Sequence, residues 1–352
     1  MSPIKPVASR FFHIPAKGRV RQLKSAKEGL SLLKKGGYVW FDFVDPSRED
    51  LTALVKPLRL HPLSVEDCLD EDQVPKIDDF PSQTFVLFNR VLYADKALVV
   101  DEVDFFLGRK YLISVTHGHG GASTAIPELS RAIERDLVNI RKGPDYLLHV
   151  FMDVVVDEKF RTIEALGEEL DEAEEAVIED PTLFKPEVLL RLRRNLLTLR
   201  KVLFHEREIL VRVSRRDSPF ISETAIYHYR DIYDHLAKFF EAIEIYREMI
   251  TSLMEMYLSV LNNRMTIVSN RTNRIVRRLT LINTIFMPLT LLAGIGGMSE
   301  WSMMTGPGHW RVAYPLFLVL MAAIGAGSFF ILKRLETKDR RRLEKDPMGL
   351  DE

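Results

Sequence analysis

Two long uncharged segments near the C-terminus dominate the hydrophobic pattern of the chain. Residues 279–298 and 312–332 contain no Asp, Glu, Lys or Arg. A helix rises about 1.5 Å per residue, so each segment is long enough to cross the roughly 30 Å hydrocarbon core of a bilayer. The pattern predicts two transmembrane helices over these ranges, joined by an exterior link at 299–311. Two buried helices of a soluble domain are the alternative, but uncharged runs of this length are rare there.

Basic side chains around these segments predict the orientation. Arginines are concentrated at 271–278, and lysines and arginines at 333–342, whereas the link carries only Arg311 and His309. Because cytoplasmic flanks of membrane helices are enriched in Lys and Arg, both termini are expected in the cytoplasm. We therefore expect a multi-pass protein of the inner (plasma) membrane, in contact with lipid, with a basic cytoplasmic tail at 333–352.

The N-terminal part of the chain has the pattern of a mixed α/β domain. Runs of β-branched and aromatic residues from 38 to 116 predict strands, and helical patterns occur at 48–58 and 62–69. We predict a cytosolic α/β domain at 38–143, preceded by a basic N-terminal segment at 1–37.

Helical periodicity replaces the strand pattern from residue 144. An acidic stretch followed by a basic one predicts an antiparallel helical pair at 144–221. A stalk helix is predicted at 222–278, because apolar residues recur at alternating spacings of four and three from Ile232 to Val260. Such a seam packs against copies of the same helix or against neighbouring helices.

Composition restricts the classes of function. The 352 residues carry a net charge of −1, and 46% of them are apolar. Cys68 is the only cysteine, which excludes an intrachain disulfide and a metal cluster built on several cysteines. The HGHGG sequence at 117–121 is compatible with a metal loop, although a simple turn is the commoner structure. With no nucleophile–base set, metal-ligand cluster or nucleotide-binding loop identifiable, we expect neither an enzyme nor a partner that is a nucleotide or a nucleic acid.

One face of the first membrane helix mixes polar and apolar residues. Two series of residues seven positions apart form this stripe: Asn273, Thr280 and Met287, and Val276, Asn283 and Thr290. Polar groups are costly in hydrocarbon and should face protein or water. Hydrogen bonds across packed helices are one explanation. The other is a water-containing pore lined by one such helix from each subunit of a ring. The stripe has no carboxylate, so a permeating cation would keep much of its water, which suits Mg²⁺.

Several sequence blocks resemble the CorA family of divalent-cation channels. Ser269–Met298, which contains IFMPLT, is similar to the membrane region of that family. The blocks HPLSVEDCLDEDQVPKIDDF, DYLLHVFMDVVVD, RRNLLTLRK and YRDIYDH precede it in the family's order, so the resemblance covers most of residues 38–335. It implies an α+β membrane protein with an N-terminal α/β cytosolic domain, a long coiled stalk helix and two transmembrane helices. It also implies a funnel-shaped homopentamer that transports Mg²⁺, with other divalent cations possible.

The resemblance implies roles for individual residues. The pore would be lined by the first transmembrane helix, with Asn273 at its cytoplasmic mouth and Thr290 deeper inside. An apolar constriction would be formed by Val276, Leu279 and Met287. Regulatory Mg²⁺ would bind between subunits and hold the channel closed; its ligands would be Asp67, with Glu66 beside it, and Asp231.

The exterior entrance departs from the family pattern. The family has Gly-Met-Asn, whereas this chain has Gly297, Met298 and Ser299, followed by Glu300. A serine hydroxyl is shorter than an amide and offers no carbonyl group to the water around an ion. The identity of the ion therefore stays open, and a CmaX-like or ZntB-like branch of the family is an alternative. Transport of zinc, cobalt or nickel and a non-conducting regulatory role in the membrane are the other hypotheses.

Overall fold

The computed structural model describes residues 9–70, 73–117, 127–297, 306 and 308–345. The chain divides into two compact units, Met1–Leu258 and Ser259–Glu352. The elements in chain order are β1 (Arg10–Ile14), β2 (Arg21–Leu23), α1 (Ala26–Leu32), β3 (Tyr38–Val44), α2 (Arg48–Leu58), α3 (Pro62–Leu69), β4 (Lys76–Phe80), β5 (Gln83–Ala94), β6 (Ala97–Gly108), β7 (Tyr111–Thr116), α4 (Pro127–Arg135), α5 (Leu137–Ile140), α6 (Pro144–Glu179), α7 (Glu187–Ser214), α8 (Ile226–Gly296) and α9 (Trp310–Lys345).

The first unit is built on a seven-stranded sheet. Its strand order is β2-β1-β3-β7-β6-β5-β4, with β3 and β7 parallel and all other neighbours antiparallel. Asp95 and Lys96 join β5 to β6, and their positive φ angles of 52° and 63° give the tight turn whose twist matches paired strands. The predicted α/β fold is confirmed, and the sheet also takes β1 and β2 from the chain before residue 38.

Both faces of the sheet are covered, as the pattern of β3 illustrates. Val39 and Phe41 are buried in the core beneath α1, α2 and α3. Tyr38 and Trp40 point to the opposite face and are buried in the core shared with α6, α7 and α8. Because side chains alternate across a strand, a strand buried on both faces is apolar at almost every position.

Buried charges fix α6 against the sheet and α7. The side chains of Lys159 and Glu206 are wholly buried, and Lys159 Nζ lies 3.1 Å from Glu206 Oε1. The same carboxylate oxygen accepts a hydrogen bond of 3.1 Å from the backbone N–H of Asn89. On the next residue of β5, Arg90 forms two hydrogen bonds, of 2.6 and 2.9 Å, with Glu158. Buried charges are tolerated only when paired in this way.

The apolar seam of α8 is covered within its own chain as far as Tyr257. Five of its members are almost fully buried in the core shared with α6 and α7: Ile232, Leu236, Ile243, Ile250 and Leu253. Aromatic contacts add to this packing, with Phe160 of α6 stacked on Phe239 and Phe184 edge-on to Tyr257. Of the two packing partners predicted for the seam, neighbouring helices of the same chain are therefore found in this part of α8.

The second unit contains the two helical segments that could cross a membrane. One lies within α8, and the other is Arg311–Ile331 of α9. None of the hydrophobic residues in either segment is buried in the single chain. Their large apolar side chains therefore need a covering other than this chain's own core.

Candidate functional site

The residues predicted to line a pore share one exposed face of α8, which we call the pore stripe. Its members are Asn273, Val276, Leu279, Thr280, Asn283, Met287 and Thr290. All are exposed in the single chain, and Met287 is the most exposed apolar member at 78%. An uninterrupted helix from Ile226 to Gly296 holds them in a regular row.

The opposite face of α8 packs against α9. Leu289 lies beside Gly325, where an added Cβ atom would be 3.5 Å from its Cδ1. Gly296 lies against Phe317, whose ring would be 2.7 Å from a Cβ atom at that glycine. The half-buried residues of this face are Leu281, Ile285, Leu289, Leu292 and Gly296. At about 100° per residue, the two sets are centred on opposite sides of the helix. Packing against α9 therefore does not account for the polar groups of the pore stripe.

The pore stripe is polar but carries no charge. The Thr280 hydroxyl donates a 2.9 Å hydrogen bond to the Val276 carbonyl, and the Thr290 hydroxyl donates one of 2.8 Å to the Phe286 carbonyl. Each hydroxyl proton is thus used inside the helix, while the oxygen lone pairs remain directed outward. With the amide of Asn283, this surface can accept hydrogen bonds from water around a cation without binding the ion directly.

The predicted exterior entrance is only partly described by the structure. Gly297 follows the end of α8 and is exposed. Met298, Ser299 and Glu300 lie outside the described residues.

The three predicted regulatory carboxylates are exposed or partly exposed, and they lie on two helices of the first unit. Glu66 and Asp67 are on α3, and Asp67 forms a 2.8 Å ion pair with Lys76. Asp231 is exposed near the start of α8. Within the described part of one chain, these three do not form a group of ligand atoms close enough to share a metal. A shared metal would require carboxylates from more than one chain.

Sequence reasoning did not single out the acidic neighbours of Asp231. Burial raises the pKa of Asp153, and the nearby carboxylates of Asp157 and Asp231 raise it further, while His235 opposes them. Asp231 therefore belongs to an acidic patch shared by α6 and α8. Asp153 and Asp157 belong to the DYLLHVFMDVVVD block of the sequence. Only the packing of α6 against α8 places these two carboxylates beside Asp231.

The structure also assembles a group that sequence reasoning missed. Cys68, Asp104 and His117 bring one possible metal-ligand atom each to within 4.8 Å of one another. No metal-ligand cluster was identifiable from the sequence, because these residues come from α3, β6 and the end of β7. The second histidine of the HGHGG motif, His119, lies outside the described residues.

Comparison with known proteins gives a consistent result. Residues 35–334 match the family model described as "CorA-like Mg2+ transporter protein". The cobalt/magnesium transport protein CorA of Thermotoga maritima is 32% identical over 289 residues, covering 81% of this chain and 79% of that protein. A CorA protein of Methanocaldococcus jannaschii with the same description is 24% identical over 288 residues, covering 80% of this chain and 87% of that protein.

Solved structures share the fold. The complete CorA magnesium transporter of Methanocaldococcus jannaschii superposes with a TM-score of 0.67 at 22% identity, covering 94% of this chain and 99% of that one. The full-length CmaX protein gives a TM-score of 0.65 at 18% identity, covering 94% and 97%. The ZntB cytoplasmic domain of Vibrio parahaemolyticus gives 0.56 at 11% identity, covering 72% of this chain and 98% of that one.

Proposed function

The chain belongs to the family of CorA-like Mg²⁺ transporter proteins, and we propose that it is a homopentameric channel for hydrated Mg²⁺. As a member of this family it is a transmembrane transporter of divalent cations. In the proposal, five α8 helices surround a central pore in a funnel-shaped assembly. Both termini lie in the cytoplasm, and the potential across the inner (plasma) membrane drives the cation inward.

The observation that carries this proposal is the exposed pore stripe on the face of α8 turned away from α9. One helical hairpin cannot enclose a channel, so a polar face that its own partner helix leaves bare is explained by a ring of copies. A neutral lining of hydroxyl and amide groups suits a cation that retains its water. Mg²⁺ loses water reluctantly, which makes it the cation best matched to this surface.

The pore stripe is tested by narrowing it with a bulky side chain. Met287→Trp and Asn273→Trp should each reduce Mg²⁺ influx into potential-clamped proteoliposomes by at least about tenfold, because the ring repeats the obstruction in every subunit. Leu320→Trp, on an exposed position of α9, is the matched control and should leave influx unchanged. Size-exclusion chromatography in mild detergent checks that each variant remains pentameric. Unchanged influx in both pore-stripe variants, or a monomeric wild type, would contradict the proposal.

Regulation is proposed to arise from Mg²⁺ bound between subunits by Asp67, Glu66 and Asp231. The donor set fits, because Mg²⁺ takes oxygen ligands and these carboxylates are accessible at the surface. The acidic patch around Asp231 supplies the electrostatic reason: without a cation, Asp153, Asp157 and Asp231 repel one another. Bound Mg²⁺ would favour the closed assembly, and its loss would favour subunit separation and opening.

A second candidate is transport of zinc, cobalt or nickel, as in a ZntB-type protein, and a third is a non-conducting regulatory protein. Ser299, which replaces the asparagine of the family's entrance motif, is the observation that favours both. Influx of each cation, measured for the wild type and Ser299→Asn, separates the three. If the wild type conducts Mg²⁺ and the Ser299→Asn variant conducts more, the Mg²⁺ channel is supported. Flux of Zn²⁺ alone supports the second candidate, and no flux of any cation in the wild type supports the third.

A further inference from the structure

A group of polar side chains, fully or partly buried, lies beneath α3 on the face of the sheet away from α6. Glu102 and Asp104 are two residues apart on β6 and therefore point to the same face. Thr116 pairs with Val103, and the backbone N–H of His117 donates a 3.4 Å hydrogen bond to the Glu102 carbonyl, so His117 follows on the adjacent strand. Above them, α3 contributes Cys68, which is 1% exposed.

Three of these residues bring their ligand atoms together. Cys68 Sγ, a carboxylate oxygen of Asp104 and a ring nitrogen of His117 all lie within 4.8 Å of one another. Ligand atoms about 2.0–2.3 Å from a tetrahedral metal are roughly 3.3–3.8 Å apart. The two ligand atoms that are farthest apart would therefore have to approach each other by about 1 Å to fit these three positions around a tetrahedral metal. Small side-chain rotations can supply this movement.

Among the residues that the structure describes, two members of this group have side-chain polar atoms without a hydrogen-bond partner. Asp104 is fully buried, yet neither of its carboxylate oxygens has a hydrogen-bond partner, and the same is true of His117 Nε2. The Nε2 atom lies 3.7 Å from Asp104 Oδ2, which is too far for a hydrogen bond. A buried carboxylate without a hydrogen-bond partner is costly, and a cation bound by Cys68, Asp104 and His117 would offset this cost.

The donor set determines which cation fits. One thiolate, one imidazole and one carboxylate are ligands typical of zinc and related transition metals, whereas Mg²⁺ prefers oxygen ligands alone. Glu102 is the neighbouring carboxylate available for a fourth position.

We propose that Cys68, Asp104 and His117 form a binding site, within a single chain, for a divalent cation of the zinc or cobalt class. This site is distinct from the pore stripe and from the exposed carboxylates assigned to Mg²⁺. It depends on neither, because all its ligands lie in one subunit of the α/β unit. Binding would displace the thiol proton to solvent, since a coordinating thiol is deprotonated.

Cobalt spectroscopy on the full-length protein in detergent tests the site. Metal-stripped protein titrated with Co²⁺ should develop a thiolate-to-cobalt charge-transfer absorption that saturates at one Co²⁺ per chain. Cys68 is the only thiol in the chain, so Co²⁺ bound at the pore or at surface carboxylates cannot produce this band. Zn²⁺ should abolish the band, and an excess of Mg²⁺ should not.

Variants identify the ligands. Cys68→Ser should lose the band, and Asp104→Asn and His117→Gln should each weaken Co²⁺ binding by more than about 100-fold, the upper end of the roughly 10–100-fold that outer-shell changes cost. Glu49→Gln, which removes an exposed carboxylate of α2 that belongs to no proposed site, is the matched control and should leave the titration unchanged. Absence of the band in folded wild-type protein would overturn the proposal, as would a band that persists unchanged in both Asp104→Asn and His117→Gln.

Discussion

The two parts of α8 use their apolar residues in opposite ways. From Ile226 to Tyr257, one face is buried against α6 and α7 of the same chain, and Leu236 is 0% exposed. In the second unit, residues of the same types are left bare, and Leu279 is 57% exposed. The first part is therefore held by its own fold, whereas the second needs lipid and, in our proposal, other subunits. One helix thus combines a part that is packed within its own chain with a part that, in our proposal, is completed by assembly.

The largest effect should come from breaking the buried ion pair of Lys159 and Glu206 in the first unit. Lys159→Met leaves the fully buried Glu206 carboxylate without its counter-charge, which should lower the free energy of unfolding by about 3–5 kcal/mol. Chemical denaturation of the full-length protein, followed by circular dichroism, measures this loss. A Lys159→Met/Glu206→Leu double variant should regain most of it, and failure to do so would show that packing, rather than charge, dominates at this position.

The Lys159–Glu206 ion pair also predicts how the stability of the protein changes with pH. Burial raises the pKa of Glu206 to about 7, although Lys159 counteracts this rise. A folded-state pKa above the unfolded value means that stability is fully present at low pH and is lost as pH rises through the folded pKa. In Lys159→Met the pKa of Glu206 should rise further, so the variant should lose more stability than the wild type between pH 5 and 9. Equal pH profiles for the two proteins would contradict this account.

A matched pair of substitutions tests the comparison within α8 directly. Leu236→Ala removes a fully buried side chain and should reduce the free energy of unfolding by about 2–5 kcal/mol. Leu279→Ala removes the same atoms from an exposed position and should change it by less than about 0.5 kcal/mol. Instead, Leu279→Ala should alter Mg²⁺ influx, because it widens the proposed constriction. Equal destabilisation by the two variants would contradict the proposed difference between the buried and the exposed part of α8.

The smallest effects should come from the outward-facing carboxylates. Asp67→Ala and Asp231→Ala should raise the Mg²⁺ concentration needed for protection from protease several-fold, with little change in unfolding free energy, because exposed charges contribute about 0–1 kcal/mol to folding. Limited proteolysis across a Mg²⁺ titration is the measurement. Glu49→Ala, at an exposed position of α2, is the control. Identical titrations for all of these proteins would argue against the proposed regulatory site.

The sequence was most informative where one physical rule governs a whole element. Runs of β-branched and aromatic residues located β3, β5, β6 and β7, and helical patterns located α2 and α3. The short strands β1 and β2 did not stand out, since each is only three to five residues long and includes basic residues. β1 joins the sheet by pairing with β3, and β2 joins it by pairing with β1; the local pattern encodes neither pairing.

The candidate functional residues likewise differ in whether they lie on one element or are brought together by the fold. The shared exposed face of the pore-stripe residues could be predicted because a helix repeats its faces every 3.6 residues, while their role in a pore stays a proposal. The group of Cys68, Asp104 and His117 could not, because its members are separated by long stretches of chain. They meet only through the register of β6 with β7 and the position of α3 above both strands.

Adjacent residues of α3 face different surroundings, and this has a mechanical consequence. Asp67 reaches outward to Lys76, while Cys68 points down into the sheet, and the helix that joins them has only eight residues. Because Asp67 and Cys68 are consecutive residues of one short helix, a displacement of the Cys68 sulfur would also displace the Asp67 carboxylate. In our two proposals together, a metal bound at Cys68 would therefore change the affinity of the intersubunit Mg²⁺ site that includes Asp67.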